Sequence, residues 1–211
     1  MKILAFETTD TVASVALYLD GSVIETVIDS TMRHAVSVLP AAQALLADAG
    51  LKTADMDAFA ADVGPGSFTG VRIGVCMVNA LGAAHKKPVI AVNALEALAY
   101  KMRDAVPEST GTVCALIDAR NGNGYGAVYR YRYNRETDLY DVQILTPPCA
   151  CVVSEFIKEL PADCRIVGTA TEFPILPAAE SVARIAAQRT GDRRIAPLYL
   201  KLSQAERMWN A

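Results

Sequence analysis

Hydrophobic and polar positions follow two different periods along the chain, and these periods predict its strands and helices. The opening segment Lys2–Glu7 is almost entirely apolar, which is typical of a central strand buried on both faces. Two more strands, Val12–Leu19 and Val23–Ile28, flank the hairpin signal Asp20-Gly21. Helix and strand then alternate through five predicted elements: Leu39–Ala49, Met56–Val63, Val71–His85, Pro88–Val92 and Ala94–Arg103.

The second half of the chain repeats much of this order. Three predicted strands are followed by a helix, a short strand and a helix: Val113–Asp118, Tyr125–Tyr133, Tyr140–Leu145, Val153–Leu160, Arg165–Val167 and Ala178–Gln188. The polar, turn-rich segment 104–111 separates the halves. We therefore expect two lobes, residues 1–104 and 105–211, that are two copies of one α/β unit of βββαβα type. A ligand cleft is expected between them.

The most informative stretch is the eleven-residue run from Gly64 to Gly74, Gly-Pro-Gly-Ser-Phe-Thr-Gly-Val-Arg-Ile-Gly, which joins a buried strand to a helix. Either Ser67 or Thr69 can cap the helix, because a hydroxyl there accepts from a backbone N–H of the first turn. Arg72 falls close to the positive end of the helix dipole, where a cation costs up to ~1 kcal/mol. Either a phosphate or a partner's carboxylate offsets this cost, or Arg72 bends away into solvent.

Three glycines of this helix, Gly70, Gly74 and Gly82, lie near one stripe. An interior glycine costs roughly 0.5–1 kcal/mol relative to alanine, so something large should pack close to the backbone there. It could be the protein's own sheet or another subunit, and we expect another subunit. The predicted partner-binding residues are those of the loop and the first turns of the helix: Gly64, Pro65, Gly66, Ser67, Phe68, Thr69, Gly70, Val71, Arg72, Gly74, Val75 and Val78.

Composition narrows the function classes. The net charge is −3 and the chain has no dense basic run, Arg193-Arg194 being among the nearest, which argues against autonomous nucleic-acid binding. No apolar stretch reaches the ~18–20 residues of a membrane span. The cysteines number five, which favours free thiols in a reducing cytoplasm over a disulfide framework. With only two histidines, His34 and His85, we assign no metal site.

Several motifs together resemble the TsaB (YeaZ) family. They are the Gly64–Gly74 stretch, Lys2-Ile3-Leu4-Ala5 with the acid–threonine pair that follows it, Ile117-Asp118-Ala119-Arg120, and Pro197-Leu198-Tyr199-Leu200-Lys201. The resemblance runs from Lys2 to about Glu206 and is most specific in the first lobe. It implies the actin-like ATPase (ribonuclease H-like) fold in two lobes, and a bacterial cytoplasmic protein that helps to make threonylcarbamoyladenosine on tRNAs reading ANN codons.

The same resemblance implies a non-catalytic subunit. Such a protein pairs with the transferase TsaD or with itself, largely through first-lobe elements. A TsaE-like ATPase joins the complex, tRNA is engaged indirectly and no membrane is involved.

The residues that would form a nucleotide site are each only partly suited to it. An actin-like ATPase holds Mg²⁺ through water with an acid on its first strand, followed by small residues; here the candidates are Glu7, Thr8 and Thr9. Family members usually have Asp at this position, and the longer Glu7 would intrude on the metal's space. The second lobe offers Asp118, Arg120 and Gly168, but Ala119 adds a methyl group where a phosphate should approach. We expect a vestigial nucleotide cleft that requires no cofactor, although ATP or ADP could occupy a cleft between lobes or subunits.

Other functions stay open at this stage. The main alternative is an ATP-dependent phosphotransferase or ATPase of the actin-like superfamily, followed by a peptidase, for which no motif links Ser67 to a histidine. Asp62 is either a countercharge for Arg72 or a strand-end residue, and Asp118 with Arg120 could be a structural pair across a turn. Four tyrosines of one strand could stack bases, or they could cover a face of the sheet: Tyr125, Tyr129, Tyr131 and Tyr133.

Overall fold

The computed structural model describes residues 1–28, 34–102, 111–134, 139–169, 171 and 175–201. Contacts divide the chain into two units. The first consists of residues 1–97 and 177–198, and the second of residues 98–176 and 199–211. Each unit is built on one β-sheet.

The sheet of the first unit has five strands in the order β3-β2-β1-β4-β5. Their bounds are β1 Lys2–Glu7, β2 Ala13–Leu19, β3 Ser22–Ile28, β4 Ala58–Asp62 and β5 Val89–Val92. The first three strands form an antiparallel meander, whereas β4 and β5 continue the sheet in parallel from β1. The connecting helices are α1 (His34–Asp48), a 3₁₀ turn (Thr53–Asp55), α2 (Phe68–His85) and α3 (Ala94–Lys101).

The sheet of the second unit has four strands in the order β8-β7-β6-β9. They are β6 (Gly111–Asp118), β7 (Asn123–Asn134), β8 (Leu139–Val152) and β9 (Arg165–Gly168), with the short helix α4 (Val153–Lys158) before β9. This sheet also opens with an antiparallel meander and continues with a parallel strand from its first member. The repeated strand topology confirms the two-lobed, actin-like α/β fold and the duplication of its strands, although the last helix of the predicted βββαβα repeat is not part of the second unit.

One strand is much longer than the sequence predicts. We expect it to end at Leu145, before Pro147-Pro148, whereas β8 continues to Val152. The position of β8 at the edge of its sheet explains the difference. An edge strand has no neighbour on its outer side, so a proline without an N–H removes no interstrand hydrogen bond there. The register with β7 shifts close to the two prolines.

The last helix, α5 (Ala179–Ala186), belongs to the first unit, and the second unit begins at Leu98. The predicted division into residues 1–104 and 105–211 is therefore wrong for residues 98–104 and 177–198. The Ala179 N–H donates to Ser14 Oγ of β2 at 2.8 Å. Farther on, Val89 and Asp192 exchange two backbone hydrogen bonds, each 2.8 Å long, at the edge of the first sheet. Most of the predicted linker, together with Arg103, lies outside the described residues.

The first sheet needs a helix on both faces, which is why α5 returns to it. The side chains of Leu4 and Phe6 pack with Val75 and Val78 of α2, and α1 adds to the same core. By strand alternation, Ile3 and the neighbouring Ala5 point to the opposite face, and they are also fully buried. Helix α5 covers that face by packing on β1 and β2. Within the described residues, no helix is both long and apolar enough to cross a bilayer.

Candidate functional site

The glycine-rich loop leads into α2 as the sequence indicates, but the helix begins three residues earlier than predicted. Ser67 is the N-cap, and its Oγ accepts from the Gly70 N–H at 3.3 Å. Because Phe68 is the first helical residue, Arg72 lies in the second turn, away from the strongest part of the helix dipole. The exposed Arg72 guanidinium lies 4.3 Å from the centre of the Phe68 ring, a cation–π contact at the surface.

The glycine stripe of α2 packs on the protein's own strands, so our expectation that it receives another subunit is wrong. A Cβ atom at Gly70 would lie 1.8 Å from the Thr8 carbonyl oxygen, and one at Gly74 would lie 2.6 Å from Thr8 Oγ1. Likewise, a Cβ at Gly82 would lie 2.4 Å from Val89 Cγ1 of β5. The missing side chains therefore let α2 lie directly against the end of β1.

Two hydrogen bonds hold this close approach in place. Thr8 Oγ1 donates to the Gly70 carbonyl at 2.7 Å, and the Ser67 N–H donates to the Thr9 carbonyl at 2.7 Å. The end of β1 is thus tied to the first turns of α2 through both backbone and side chain.

Burial also narrows the predicted partner-binding set. Seven of its twelve residues are buried within the monomer: Gly64, Pro65, Gly70, Val71, Gly74, Val75 and Val78. Ser67, Thr69 and Arg72 are exposed, and Gly66 and Phe68 are half-buried. Any surface of α2 that can contact another molecule must therefore lie on the side of the helix opposite the glycine stripe.

Beneath the loop lies a pair of buried carboxyl groups, Glu7 at the end of β1 and Asp62 at the end of β4. The two strands are parallel neighbours in which Phe6 pairs with Ala61. Glu7 and Asp62, the next residue of each strand, therefore lie side by side at the same end of the sheet. Both side chains are 0% exposed. Glu7 Oε1 accepts from the Thr9 N–H at 2.5 Å and from Thr9 Oγ1 at 2.6 Å, and Asp62 Oδ1 accepts from the Gly64 N–H at 2.7 Å.

The two remaining carboxyl oxygens point to a shared proton. Glu7 Oε2 and Asp62 Oδ2 are buried, and no donor among the described residues reaches either of them unless one carboxyl group is itself protonated. Burial raises the pKa of Asp62 well above its usual range, and the adjacent Glu7 charge raises it further. Burial raises the pKa of Glu7 as well, while its hydrogen bonds to Asp62 and Thr9 oppose the rise. A proton on Asp62 therefore completes a hydrogen bond to Glu7.

This arrangement does not fit a nucleotide-bound magnesium ion. An acid that holds hydrated Mg²⁺ must present an oxygen to solvent, whereas Glu7 is sealed between Thr9 and Asp62. Thr8 and Thr9 are also buried, and both are tied to the start of α2. No group of three or more potential metal ligands occurs within the described part of the chain.

The predicted nucleotide residues of the second unit have structural roles in the same way. Asp118 Oδ1 accepts from the Arg120 N–H at 2.9 Å, so these two residues form a turn motif instead of an ion pair. Arg120 itself has a φ of 67° in the hairpin between β6 and β7. A Cβ atom at Gly168 would lie 1.9 Å from the Leu116 carbonyl oxygen, so this glycine permits close packing of β9 on β6.

The structure also decides between some of the roles that the sequence left open for Asp62 and for the tyrosines. Asp62 contacts Glu7, which answers the open question about its role, and strand register was the signal that could have predicted this pair. Tyr129 and Tyr131 are buried and therefore cover a face of the sheet. The side chains of Tyr133 and His34 lie outside the described part.

Among the described side chains, no histidine lies near Ser67 to support the peptidase alternative. Ser67 caps the start of α2 and His85 ends it, which separates them by about 27 Å at 1.5 Å per residue.

The topology of the two sheets is that of an α/β protein with the actin-like ATPase fold. Residues 24–206 match the family model of TsaD, tRNA N6-adenosine threonylcarbamoyltransferase. The tRNA threonylcarbamoyladenosine biosynthesis protein TsaB of Escherichia coli K12 is 31% identical over 224 residues, covering 95% of each chain. At this identity over nearly the whole length of both proteins, the chain belongs to the TsaB family.

Two further similarities are to a solved structure and to a segment of a transferase. A Pseudomonas aeruginosa crystal structure, described as an uncharacterized protein with similarity to peptidase YEAZ, superposes with a TM-score of 0.79 at 27% identity, covering 95% of this chain and 99% of that one. The tRNA N6-adenosine threonylcarbamoyltransferase of Novosphingobium aromaticivorans is 47% identical over 74 residues, which cover 35% of this chain and 21% of that protein.

Proposed function

We propose that this chain is a cytoplasmic, non-catalytic partner subunit in the formation of threonylcarbamoyladenosine on tRNA. The pathway is supported by the name of the E. coli relative, a tRNA threonylcarbamoyladenosine biosynthesis protein that aligns over nearly its whole length. The proposal that the chain is not a catalyst is supported by the buried, hydrogen-bonded position of Glu7. A carboxylate sealed against Thr9 and Asp62 is occupied in holding the fold together and does not present itself to a metal ion.

The proposed partner is a TsaD-like transferase. A segment of this chain is 47% identical to such a transferase over 74 residues, so the two proteins have similar building blocks. Related chains can pair through equivalent faces in a pseudo-twofold arrangement, as identical chains do in a twofold dimer. The same reasoning allows the chain to pair with itself. A TsaE-like ATPase would join the assembled pair, and tRNA would be engaged by the complex.

We assign the contact to the exposed face of α2, defined by Thr69, Arg72, Cys76, Ala80 and Ala83. All five residues are exposed on the side of the helix opposite the glycine stripe. Short side chains at Cys76, Ala80 and Ala83 allow a partner helix to approach closely. Arg72 adds a guanidinium that can donate to a carboxylate or to backbone carbonyls of the partner.

Co-purification tests both the function and the surface. We expect the affinity-tagged chain, isolated from cells, to bring down a TsaD-like protein, and Arg72→Glu to lose most of it. The matched control is Lys158→Glu, the same charge reversal on the exposed side of α4 in the second unit. Equal recovery with Arg72→Glu contradicts the assigned surface. Failure of the wild-type chain to recover any transferase contradicts the function.

We also propose that the chain needs no bound nucleotide for its role as a partner subunit. Purified chain incubated with Mg-ATP should release no phosphate above the buffer rate. Phosphate release that is abolished by Glu7→Gln would replace the proposed role with that of an actin-like ATPase or phosphotransferase.

A further inference from the structure

A basic pocket lies where the end of α2 meets the chain segment that follows α5, entirely within the first unit. It is a cavity of about 670 Å³. Its polar lining consists of Lys86, Lys87, Arg193 and Asp192, and its floor includes Gly82 and Gly191. Ala83 also lines the pocket and belongs to the exposed face of α2, whereas none of the polar lining residues belongs to that face or to the carboxyl pair.

The local backbone explains why these side chains meet. Helix α2 ends at His85, and Lys86 takes a left-handed conformation with a φ of 54° that turns the chain towards β5. The N–H of Lys87 donates to the Gly82 carbonyl at 3.0 Å, which closes the helix end. The backbone bonds between Val89 and Asp192 then bring Arg193 to the same place.

The charges of the basic pocket are unbalanced. Lys86, Lys87 and Arg193 line it with a single acid, Asp192, and Arg194 is the next residue along the exposed chain. Within the described part of the molecule, no ion pair involves any of the four cations. This positive cluster occurs in a protein whose net charge is −3. Like charges gathered without counterions repel one another, and an anion bound among them relieves that repulsion.

Helix stability explains only part of the cluster. A lysine at the C-terminus of a helix interacts favourably with the negative end of the helix dipole and stabilises the helix by a few tenths of a kcal/mol to ~1 kcal/mol. This effect accounts for Lys86 and Lys87. Arg193 comes from a distant part of the sequence and caps no helix. Because its position depends on the pairing of Asp192 with β5, its convergence with the two lysines is a feature of the tertiary fold.

We propose that the basic pocket binds phosphate groups and that these belong to the backbone of tRNA. This inference rests on the proposed function for its ligand source. The carbonyl end of α2 offers no cradle of N–H groups, so recognition depends on long side chains, of which Lys86 and Arg193 are exposed and Lys87 is half-buried. Lysine and arginine side chains of this kind contact the phosphates of nucleic acids without reading sequence. A local cluster also suits a chain that is acidic overall and binds tRNA only as one part of a complex.

Paired charge-removal variants test the proposal in the complex of this chain with its TsaD-like partner. The test variant is Lys87→Gln with Arg193→Gln, and the matched control is Lys158→Gln with Arg130→Gln, which removes the same two charges from exposed positions of the second unit. Labelled tRNA is titrated by fluorescence anisotropy at several salt concentrations. We expect the pocket variant to bind several-fold more weakly, with a salt slope lower by about 2, since each lost phosphate contact lowers it by about 0.9. The control should match the wild type.

Inorganic pyrophosphate separates the two sources of phosphate. It is titrated against the isotopically labelled chain without a partner, and we expect amide shifts confined to the residues around Lys87 and Arg193. Shifts at these residues combined with equal tRNA binding by both variants would assign the pocket to a free phosphate compound and overturn the tRNA assignment. Equal tRNA binding without any shift would overturn the phosphate site altogether.

Failure of this inference is distinguishable from failure of the proposed function. In cells depleted of the native protein, the wild-type chain restores threonylcarbamoyladenosine in tRNA if the proposed function is correct. If wild-type expression restores nothing, the function is wrong, and the pyrophosphate titration still tests the pocket. If the pocket variant restores the modification at the wild-type rate and binds tRNA equally well, only the pocket assignment fails.

Discussion

Glu7 and Asp62 form a fully buried carboxyl pair at the adjoining ends of two parallel strands. One oxygen of each group accepts a backbone N–H bond from the loop that follows its strand. The second oxygen of each is buried, with no other donor among the described residues, and the two side chains interact with each other. A single proton makes this arrangement favourable, and its loss would leave two buried negative charges in contact. The pair therefore couples the protonation of Asp62 to the stability of the glycine-rich loop above it.

This coupling predicts a characteristic pH dependence of stability. Because the pKa of Asp62 is higher in the folded than in the unfolded chain, the folded state keeps a proton that the unfolded state has released. The contribution is fully present below the ordinary carboxyl pKa of about 4 and is lost as pH rises through the higher folded value. We expect the free energy of unfolding, measured with urea, to decline across this window.

Asp62→Asn tests the origin of that decline. The amide keeps an oxygen for the Gly64 N–H and supplies a permanent donor to Glu7, so the decline should flatten and stability at pH 8 should at least equal that of the wild type. Asp163→Asn, at an exposed position, serves as the control and should leave the decline unchanged. A wild-type slope in Asp62→Asn would show that another group is responsible.

The packing of α2 on β1 predicts a strong and graded sensitivity of its glycines. Gly70→Ala places a methyl group against the rigid Thr8 carbonyl, so we expect a loss of about 3 kcal/mol or more in the free energy of unfolding. Gly82→Ala meets a methyl group of the buried Val89 at 2.4 Å and the Lys87 carbonyl oxygen at 3.1 Å, but it gains helix propensity, so its cost should be smaller, about 1–2 kcal/mol. Equal costs at the two positions would contradict the packing.

Gly74→Leu should also destabilise the isolated chain, because its new side chain would be driven into Thr8. Weaker pairing with a partner in this variant would therefore report on folding. Substitutions on the exposed face of α2 do not have this ambiguity.

Thiol labelling should distinguish the cysteines and report on the proposed interface. Cys76 is exposed on α2, whereas Cys114 is buried and burial raises its pKa to about 12. A maleimide at neutral pH should therefore modify Cys76 first and Cys114 only after unfolding, as followed by mass spectrometry. Bound transferase should slow the labelling of Cys76, and an unchanged rate in the complex would argue against the assigned face.

The position of α5 predicts that the first unit depends on the C-terminal part of the chain. Ser14→Ala removes the acceptor of the buried Ala179 N–H and should cost about 1–3 kcal/mol in thermal or urea unfolding. A chain ending at Leu176 should fail to give a soluble first unit, because the sheet face beneath α5 would be exposed. Soluble, cooperative unfolding of this truncated chain would contradict the assignment.

The order of strands was predictable from the sequence because each signal was local. The apolar run of β1, the Asp20-Gly21 turn and the hydroxyl cap of α2 each act within a few residues. The structure confirms the first two and selects Ser67 over Thr69 as the cap. The return of α5 to the first sheet was not predictable in this way. Its amphipathic pattern indicates that one face is buried but does not say against which sheet.

The candidate site shows the same limit. The glycine spacing on α2 indicates a close approach by something, and only the tertiary structure identifies it as Thr8 of β1. Glu7 stood out as an unusual acid, but its partner Asp62 becomes apparent only when β1 and β4 are known to be adjacent and parallel. The basic pocket likewise depends on two segments that the sequence keeps far apart.

The return of α5 also affects the order in which the protein can mature during synthesis. The ribosome releases β1 to β5 early, yet the helix that closes their second face, α5, follows only after β6 to β9 in the chain. The nascent sheet must therefore keep an open apolar side until the whole segment from β6 to β9 has also been translated. Such a chain should depend on trigger-type chaperones during synthesis more than a protein whose leading domain closes on its own.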